Sequence, residues 1–328
     1  MRILTRADVK QLVTMERAIE LVSLAFQDLA AGRARSPLRT LLAVGKGTGT
    51  TLVMPAYVPG IGALGLKVVS VFGGNHAKGL PTITSVVCLL DDETGQPLAM
   101  MDGGYLTALR TGAVSGVASK HLAREDSKAL TVIGTGAQAM TQAAAVCAVR
   151  PIDQITVVGR SPERLEAFRT AMGIDWPDLV ERLYLTSDVS AAVRSADIIC
   201  AATSSATPVF DAADIRLGTH VNGVGAFTPS MQEVPSAFVA RATVVMDEAV
   251  AALAEAGDLI IPLHEGMVTR DHYQRELGHV ASGAQPGRSS EDEVTFFKSV
   301  GNAVQDLAVG RCAYDESLAK GVGVDVSL

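Results

Sequence analysis

Several features that would point to particular functions are absent from this chain. Its four cysteines, Cys88, Cys147, Cys200 and Cys312, are far apart and form no CxxC pair. Neither a zinc site nor a disulfide framework is suggested, no metal is expected, and the thiols read as small core residues. Positive charge is in deficit, with 28 Lys and Arg against 35 Asp and Glu, a net charge of -7 and an isoelectric point near 5.4. That balance gives no support to a nucleic-acid or anionic-membrane partner. No apolar run approaches the roughly 18 residues of a membrane span, and the opening residues lack the long apolar core of a signal peptide. Aromatic residues are scarce at 4%, and no internal repeat is visible. A soluble cytoplasmic protein with a small-molecule partner is the expectation.

What is present is aliphatic. Hydrophobic residues make up 48% of 328 positions, enough for two domains with sizeable cores. Alanine, valine and glycine supply most of that content, which suits helices packed closely on a sheet.

The most informative stretch is Ala129 to Ala139. The apolar run Ala-Leu-Thr-Val-Ile opens into Gly134-Thr135-Gly136-Ala137-Gln138-Ala139, as a strand does where it meets a nucleotide-binding helix. Gly134 allows a tight turn, Gly136 lets a pyrophosphate approach the backbone, and Ala139 lets helix and strand pack closely. A helix beginning near Ala137 offers free N–H groups to phosphates. An ordinary strand-to-helix turn would carry the same glycines, so the next unit matters. Ile155 to Val158 reads as a second buried strand, Gly159-Arg160-Ser161-Pro162 as a turn, and Glu163 to Ala171 as a helix, completing a βαβ unit. An NAD site usually has Asp or Glu at the end of that second strand to hold the ribose 2′-hydroxyl. Gly159, Arg160 and Ser161 stand there instead, and a guanidinium with a hydroxyl favours a 2′-phosphate and hence NADP(H), with NAD(H) still possible. Arg160 as a plain solvated turn residue is the competing reading.

Along the rest of the chain, Thr5 to Leu12 carries an N-cap signal, and Met15 to Ala31 repeats apolar residues at helical spacing. Leu41 to Val44, Thr51 to Met54, Gly65 to Val71, Ile83 to Leu90 and Pro97 to Met101 read as successive strands without intervening helices, hence a mainly antiparallel sheet. From Lys128 strands and helices alternate. They include strands at Arg182 to Leu185, Asp197 to Ala201, His220 to Val224 and Thr243 to Asp247, and a helix from Asp188 to Ser195. Ala281 to Glu291 reads as a linker or mobile loop, and Val294 to Arg311 as helix. The expected fold class is α/β, a Rossmann-type doubly wound parallel sheet plus an α+β substrate-binding and dimerisation domain. The expected boundaries are 1–120, with 294–328 returning to it, and 121–293 for the cofactor domain.

The segments Arg35-Ser-Pro-Leu-Arg39, Val53-Met-Pro-Ala-Tyr57, Gly65-Leu-Lys67, Met101-Asp-Gly, Thr107-Ala-Leu-Arg110-Thr-Gly-Ala113, Gly134-Thr-Gly136-Ala-Gln, Asn222-Gly-Val-Gly225-Ala226 and Phe296-Phe-Lys-Ser-Val-Gly301 stand in the order and spacing of one family over nearly the whole length. In these the chain resembles the ornithine cyclodeaminase/mu-crystallin family. The resemblance implies a dimer with a substrate domain beside a Rossmann domain. It also implies one of several reactions: ornithine cyclodeamination, alanine dehydrogenation, reduction of pyrroline-2-carboxylate or piperideine-2-carboxylate, or hydroxyproline dehydration. Mu-crystallin itself suggests an NADP-gated binding protein as a non-enzymatic alternative.

Arg39, Lys67 and Arg110 have a reading of their own, since cations in apolar, strand-rich segments usually need an anion. A substrate carboxylate gripped by arginine would supply it, and the family uses its matching residues so. Pairing with protein carboxylates such as Asp102 is the alternative. Met54 and Tyr57 could equally be core residues, and His76 reads as a loop histidine. By the same resemblance Lys67 and Arg110 are expected to be catalytic, with Arg39, Met54, Phe227 and Thr228 lining the substrate. Thr111, Gly134, Thr135, Gly136, Ala137, Gln138, Gly159, Arg160, Ser161, Arg164, Thr203, Val224, Gly225, Lys298 and Gly301 are expected to hold the cofactor. Cyclodeaminases carry an Asp after the Asn222-to-Ala226 segment, where this chain has Phe227. A phenyl ring accepts no proton and anchors no ammonium, which counts against ornithine chemistry. It suits a cyclic ketimine, whose nitrogen is already in the ring. The expected activity is NADPH-dependent reduction of pyrroline-2-carboxylate or piperideine-2-carboxylate to L-proline or L-pipecolate.

Overall fold

The computed structural model describes residues 1–46 and 48–327. They form an α/β fold of two compact units, Met1–Arg110 with Asn302–Leu328, and Thr111–Gly301.

The first unit opens with strand β1 (Arg2–Leu4), helix α1 (Arg6–Leu12) and helix α2 (Met15–Ala30). Thr5 starts α1 through a capping box: its hydroxyl accepts from the Asp8 N–H, and the Asp8 carboxylate accepts from the Thr5 N–H at 2.8 Å. Strands β2 (Thr40–Val44), β3 (Gly49–Val58), β4 (Ala63–Val71), β5 (Ile83–Leu90) and β6 (Pro97–Asp102) follow, and then the long helix α3 (Gly103–Leu122). Consecutive strands from β2 to β6 pair antiparallel, and β1 joins β6 in parallel. The inward face of this sheet alternates as a half-buried sheet must. Met54, Ala56 and Val58 on β3, Ala63 and Lys67 on β4, Val87 and Leu89 on β5 and Met101 on β6 are buried. The division between units falls inside α3, after Arg110.

The second unit is a wholly parallel sheet. Its elements are β7 (Ala129–Ile133), α4 (Ala137–Val149), β8 (Gln154–Val158), α5 (Pro162–Asp175), β9 (Leu183–Thr186), α6 (Val189–Ser195), β10 (Ile198–Ala201), β11 (His220–Gly223), α7 (Ser236–Val239), β12 (Thr243–Met246), α8 (Ala249–Glu255), α9 (Gly257–His264), β13 (Arg275–Glu276), α10 (Leu277–Ala281) and β14 (Thr295–Lys298). The spatial order is β13-β12-β14-β11-β10-β7-β8-β9. Strand order reverses at β7, between β8 and β10, which is where doubly wound sheets bind nucleotides. Alternate residues serve opposite cores: Ile133, Val158, Ile199 and Val221 on one face, Val132, Val157, Ile198 and Cys200 on the other. The chain returns to the first unit in α11 (Ala303–Lys320), capped by Asn302, and ends in β15 (Val324–Asp325) beside β1. Helix α11 packs on α2 and across β3, β4 and β5.

Three readings of the sequence need correction. Val294 to Arg311 is not one helix. Thr295–Lys298 is β14, flanked on both sides by strands and fully buried, and four residues are too few to show the alternation that would distinguish strand from helix. The return to the first unit therefore starts at Asn302, not Val294. The stretch from Ala281 to Glu291 is not a linker but a loop inside the second unit. Arg288 pins it, donating to the carbonyls of Leu122 at 2.7 Å and Gly218 at 2.9 Å.

Candidate active-site residues

In the first unit the central feature is a buried ion cluster. Lys67 lies on the inward face of β4, in register with Met54 on β3 and Val87 on β5. The next buried position on the same line is Met101, opposite Val87. Helix α11 crosses this row. Its Gly310 fits against Met101 and Val87, where an added Cβ would come within 3.3 Å and 3.6 Å of their side chains. One turn earlier on the same helix face, Asp306 reaches Lys67, with 2.7 Å from Nζ to Oδ2. Its other oxygen accepts from Arg110 Nε at 3.0 Å, and Arg110 Nη1 donates to Gln305 Oε1. Lys67 and Asp306 are 2% and 0% exposed.

Two cations thus share one carboxylate, and the cluster keeps a surplus of positive charge. Burial, then the charge of Arg110 and to a lesser extent that of Arg39, lowers the Lys67 ammonium to about 8, against the opposing pull of Asp306. Burial raises the Asp306 carboxyl, but the charges of Arg110 and Lys67 outweigh it and hold the group below the ordinary carboxylate range. The argument that these cations lack an anion is therefore corrected in part. A protein carboxylate does pair with them, and it is Asp306. Asp102 instead caps α3, accepting from the Tyr105 N–H at 2.8 Å. Arg39 stands half-buried just before β2, and Tyr57 donates to Asp92. His76 lies in the loop between β4 and β5.

In the second unit the expected cofactor residues cluster at the carboxyl ends of adjacent strands. Gly134 ends β7 at φ +119°, and a Cβ there would stand 2.5 Å from the Ala202 carbonyl, so the position needs glycine for both conformation and space. Gly134 N–H donates to Val158 at 2.9 Å, tying the turn to the end of β8. Gly136 caps α4 with no side chain, and nothing lies within 4 Å of where its Cβ would be. Gln138 Oε1 is buried without a partner. An open glycine cap at the positive end of a helix, at the reversal of strand order, fits the pyrophosphate of a dinucleotide.

Buried carboxylates hold the loops around that turn. Glu233 accepts from the N–H groups of Thr203, Gly225 at 2.6 Å and Ala226 at 2.9 Å, drawing together the loops after β10 and β11. Gly225 must be glycine, since a Cβ would stand 2.0 Å from the Thr203 carbonyl. Burial raises the Glu233 carboxyl, with Lys298 pulling the other way. Asp258 in turn accepts from the Glu233 and Val234 N–H groups at 2.7 Å and 3.0 Å and from Lys298 Nζ at 2.7 Å. Asp247 accepts from Ser299 Oγ and from the Val300 and Gly301 N–H groups.

This changes the roles of several expected residues. Lys298 is completely buried against Asp258, which pairs its ammonium within the loop framework. Ser161 caps α5, accepting from the Arg164 N–H at 3.3 Å, and its hydroxyl donates to Glu163. Arg160 and Arg164 are exposed. Thr111 offers its carbonyl to Gln142 Nε2 at 3.0 Å. Val224 N–H donates to the Ala201 carbonyl, while Thr135 and Ala137 flank the open Gly136. Phe227, 39% exposed, and Thr228 lie on the loop after β11. Cys147 and Cys200 are pushed up by burial to about 11 and about 12, as inert core thiols. His220, bonded to Thr295 and Asn222, is lowered by burial to about 3 and stays neutral. Among the described residues no helix is long and apolar enough to cross a membrane.

The cluster on α11 and the carboxylates at 233, 247 and 258 were not singled out as site residues by sequence reasoning. A signal did exist for the first. Gln305-Asp306 interrupts an otherwise apolar helical run from Ala303 to Val309, and such a polar pair on a buried face needs partners.

The model of the ornithine cyclodeaminase/mu-crystallin family matches residues 1–321. The chain belongs to this family. Among its members it is 43% identical to a Delta(1)-pyrroline-2-carboxylate reductase of Bacillus cereus, over 98% of each chain. The structure of the Thermococcus litoralis Delta(1)-pyrroline-2-carboxylate reductase, in complex with NADH and L-proline, superposes with a TM-score of 0.94 at 40% identity, covering 99% of this chain and 100% of that one. An archaeal alanine dehydrogenase dimer with bound NAD gives a TM-score of 0.92 at 33% identity, covering 100% and 99%.

Proposed function

We propose that the protein is an NAD(P)H-dependent reductase of cyclic ketimine carboxylates, converting pyrroline-2-carboxylate to L-proline and piperideine-2-carboxylate to L-pipecolate. The observation that carries this reading is the surplus positive charge of the Lys67–Asp306–Arg110 cluster. With Nε on Asp306 and one Nη1 hydrogen on Gln305, Arg110 keeps its Nη2 hydrogens for a ligand carboxylate. Arg39 adds positive charge that is felt at Lys67. In this reading Arg110 and Arg39 bind the carboxylate and Lys67 supplies the proton. An ammonium near 8 is mostly charged at neutral pH yet close enough to it to give up a proton. Met54, Phe227 and Thr228 line the ring.

The glycine turn at Gly134 and Gly136 would hold a nicotinamide cofactor, which would supply the hydride for C2, while Lys67 would supply the proton for the ring nitrogen. The first unit is then the substrate and dimerisation domain and the second the cofactor domain. NADPH is the preferred cofactor in this proposal, on the strength of the exposed Arg160 and Arg164, with NADH also accepted, since the Thermococcus relative forms a complex with NADH. A homodimer is proposed from the likeness to the dimeric alanine dehydrogenase. That likeness also favours a second reading, reductive amination of pyruvate.

One panel tests the proposal: cofactor oxidation followed at 340 nm, the standard nicotinamide absorbance, with pyrroline-2-carboxylate, piperideine-2-carboxylate, and pyruvate plus ammonia. Turnover of either cyclic imine well above pyruvate plus ammonia is expected. Turnover of pyruvate and ammonia alone would replace the proposal with alanine dehydrogenase, and turnover of none would leave a binding protein.

A further inference from the structure

We propose that Asp306 is the positioning residue of the cluster, fixing the Lys67 ammonium and the Arg110 guanidinium on its two oxygens and keeping Lys67 in its charged form. The inference rests on the ketimine-reductase reading for the identity of the reaction, while its structural part stands on the cluster alone.

The geometry supplies the argument. One carboxylate oxygen meets Lys67 Nζ at 2.7 Å and the other meets Arg110 Nε at 3.0 Å. The two cations come from different elements, β4 and α3, and Asp306 on α11 bonds to both. Without a negative charge between them, two buried cations would repel and take other rotamers. Asp306 is itself held. Asn302 caps α11, accepting from the Val304 N–H at 3.1 Å, and Gly310 seats the helix on Met101 and Val87. Gln305 buttresses the same guanidinium through Oε1, which fixes the orientation of its amide.

The charged groups acting on Lys67 are Asp306 from α11, Arg110 from α3 and Arg39 from the segment before β2, and of these only Asp306 favours the ammonium. Its removal must therefore lower the Lys67 pKa, with desolvation and both arginines left unopposed. An opposite charge at this range typically accounts for roughly one to three pH units. If Lys67 supplies the proton, activity falls as pH rises through its pKa, so the alkaline limb of the kcat/KM profile marks that pKa.

The test is Asp306→Asn, nearly isosteric, with Asp306→Glu as the charge-retaining companion. For the purified enzyme the alkaline limb of kcat/KM is expected to move acidic by about one unit or more in Asp306→Asn, with kcat/KM at neutral pH down on the order of a hundredfold. NAD(P)H binding, read by fluorescence titration, should change no more than a few-fold. Asp306→Glu should keep the limb where it is in the parent. A folded Asp306→Asn protein whose limb stays in place, whatever its loss of rate, would overturn the proposal. Direct titration of the lysine ε-carbons by NMR, with Lys67→Arg to assign the resonance, measures the same pKa without turnover. A Lys67 midpoint that drops in Asp306→Asn supports the inference even for an enzyme inactive on cyclic imines, and an unmoved midpoint refutes it. Should Asp306→Asn fail to fold, Asp306→Ser takes its place in the same titration: a Lys67 midpoint below that of the parent supports the inference, and one that stays at the parent value refutes it.

Discussion

Replacing Lys298 by methionine separates the two roles this residue could have, a cofactor ligand or a strut in the loop framework. Its ammonium is 2.7 Å from Asp258, and both side chains are fully buried. In Lys298→Met, Asp258 would keep two backbone N–H donors, from Glu233 and Val234, but lose its counter-charge. Breaking a buried pair by removing one partner costs about 3–5 kcal/mol, because the remaining charge is uncompensated. The two donors that stay with Asp258 point to the lower half of that range. For a domain of this size each kcal/mol shifts the melting temperature by roughly 2–4 °C, so a fall of about 6–15 °C is expected. The double variant Lys298→Met/Asp258→Asn should recover part of the loss, since it removes the stranded charge as well. Thermal and urea unfolding followed by circular dichroism, with NAD(P)H fluorescence titration at low temperature, read both quantities. If the reasoning holds, stability drops and the folded protein binds cofactor within a few-fold of the parent. An unchanged melting temperature with cofactor binding lost would refute it and return Lys298 to the binding site.

Arg110→Lys keeps the charge but loses the planar fork and the contact with Gln305, so kcat/KM for the ketimine should fall by about a hundredfold or more while NADPH affinity changes little. Near-normal kinetics in the folded variant would remove Arg110 from the carboxylate site. Arg160→Ala should narrow the preference for NADPH over NADH by about 1–3 kcal/mol, as loss of one charge-assisted contact would; a parent enzyme that prefers NADH would defeat the 2′-phosphate reading. Ammonia release from ornithine should be negligible in the parent and in Phe227→Asp, because a carboxylate placed without supporting partners is seldom well enough positioned to catalyse. Robust release by the parent would undo the argument drawn from Phe227.

How far the sequence disclosed this protein depends on which interactions are local. The N-cap at Thr5, the glycine turn at Gly134 and Gly136 and the run of strands from β3 to β5 are set by neighbours in the chain, and each was legible. Strand β14 was not. Its neighbours β11 and β12 cover both edges, and the four buried residues Thr295–Lys298 are too few to mark a period.

The buried acids were the least legible part, for a physical reason. A carboxylate in sequence reads by default as solvated surface, and 35 acidic residues offer no means of choosing among them. What selects Asp306 is a contact with Lys67 across 239 positions, and Asp258 reaches Lys298 across 40. The cations were the easier half of each pair. Lys67 stands in a strand otherwise made of apolar and small residues, so its need for an anionic partner followed from the sequence. Which residue would meet that need followed only from the seating of α11 across β4. The same asymmetry explains Glu233, a carboxylate that sequence alone could not assign to any donor, to which the fold gives the N–H groups of two loops that must close around a glycine.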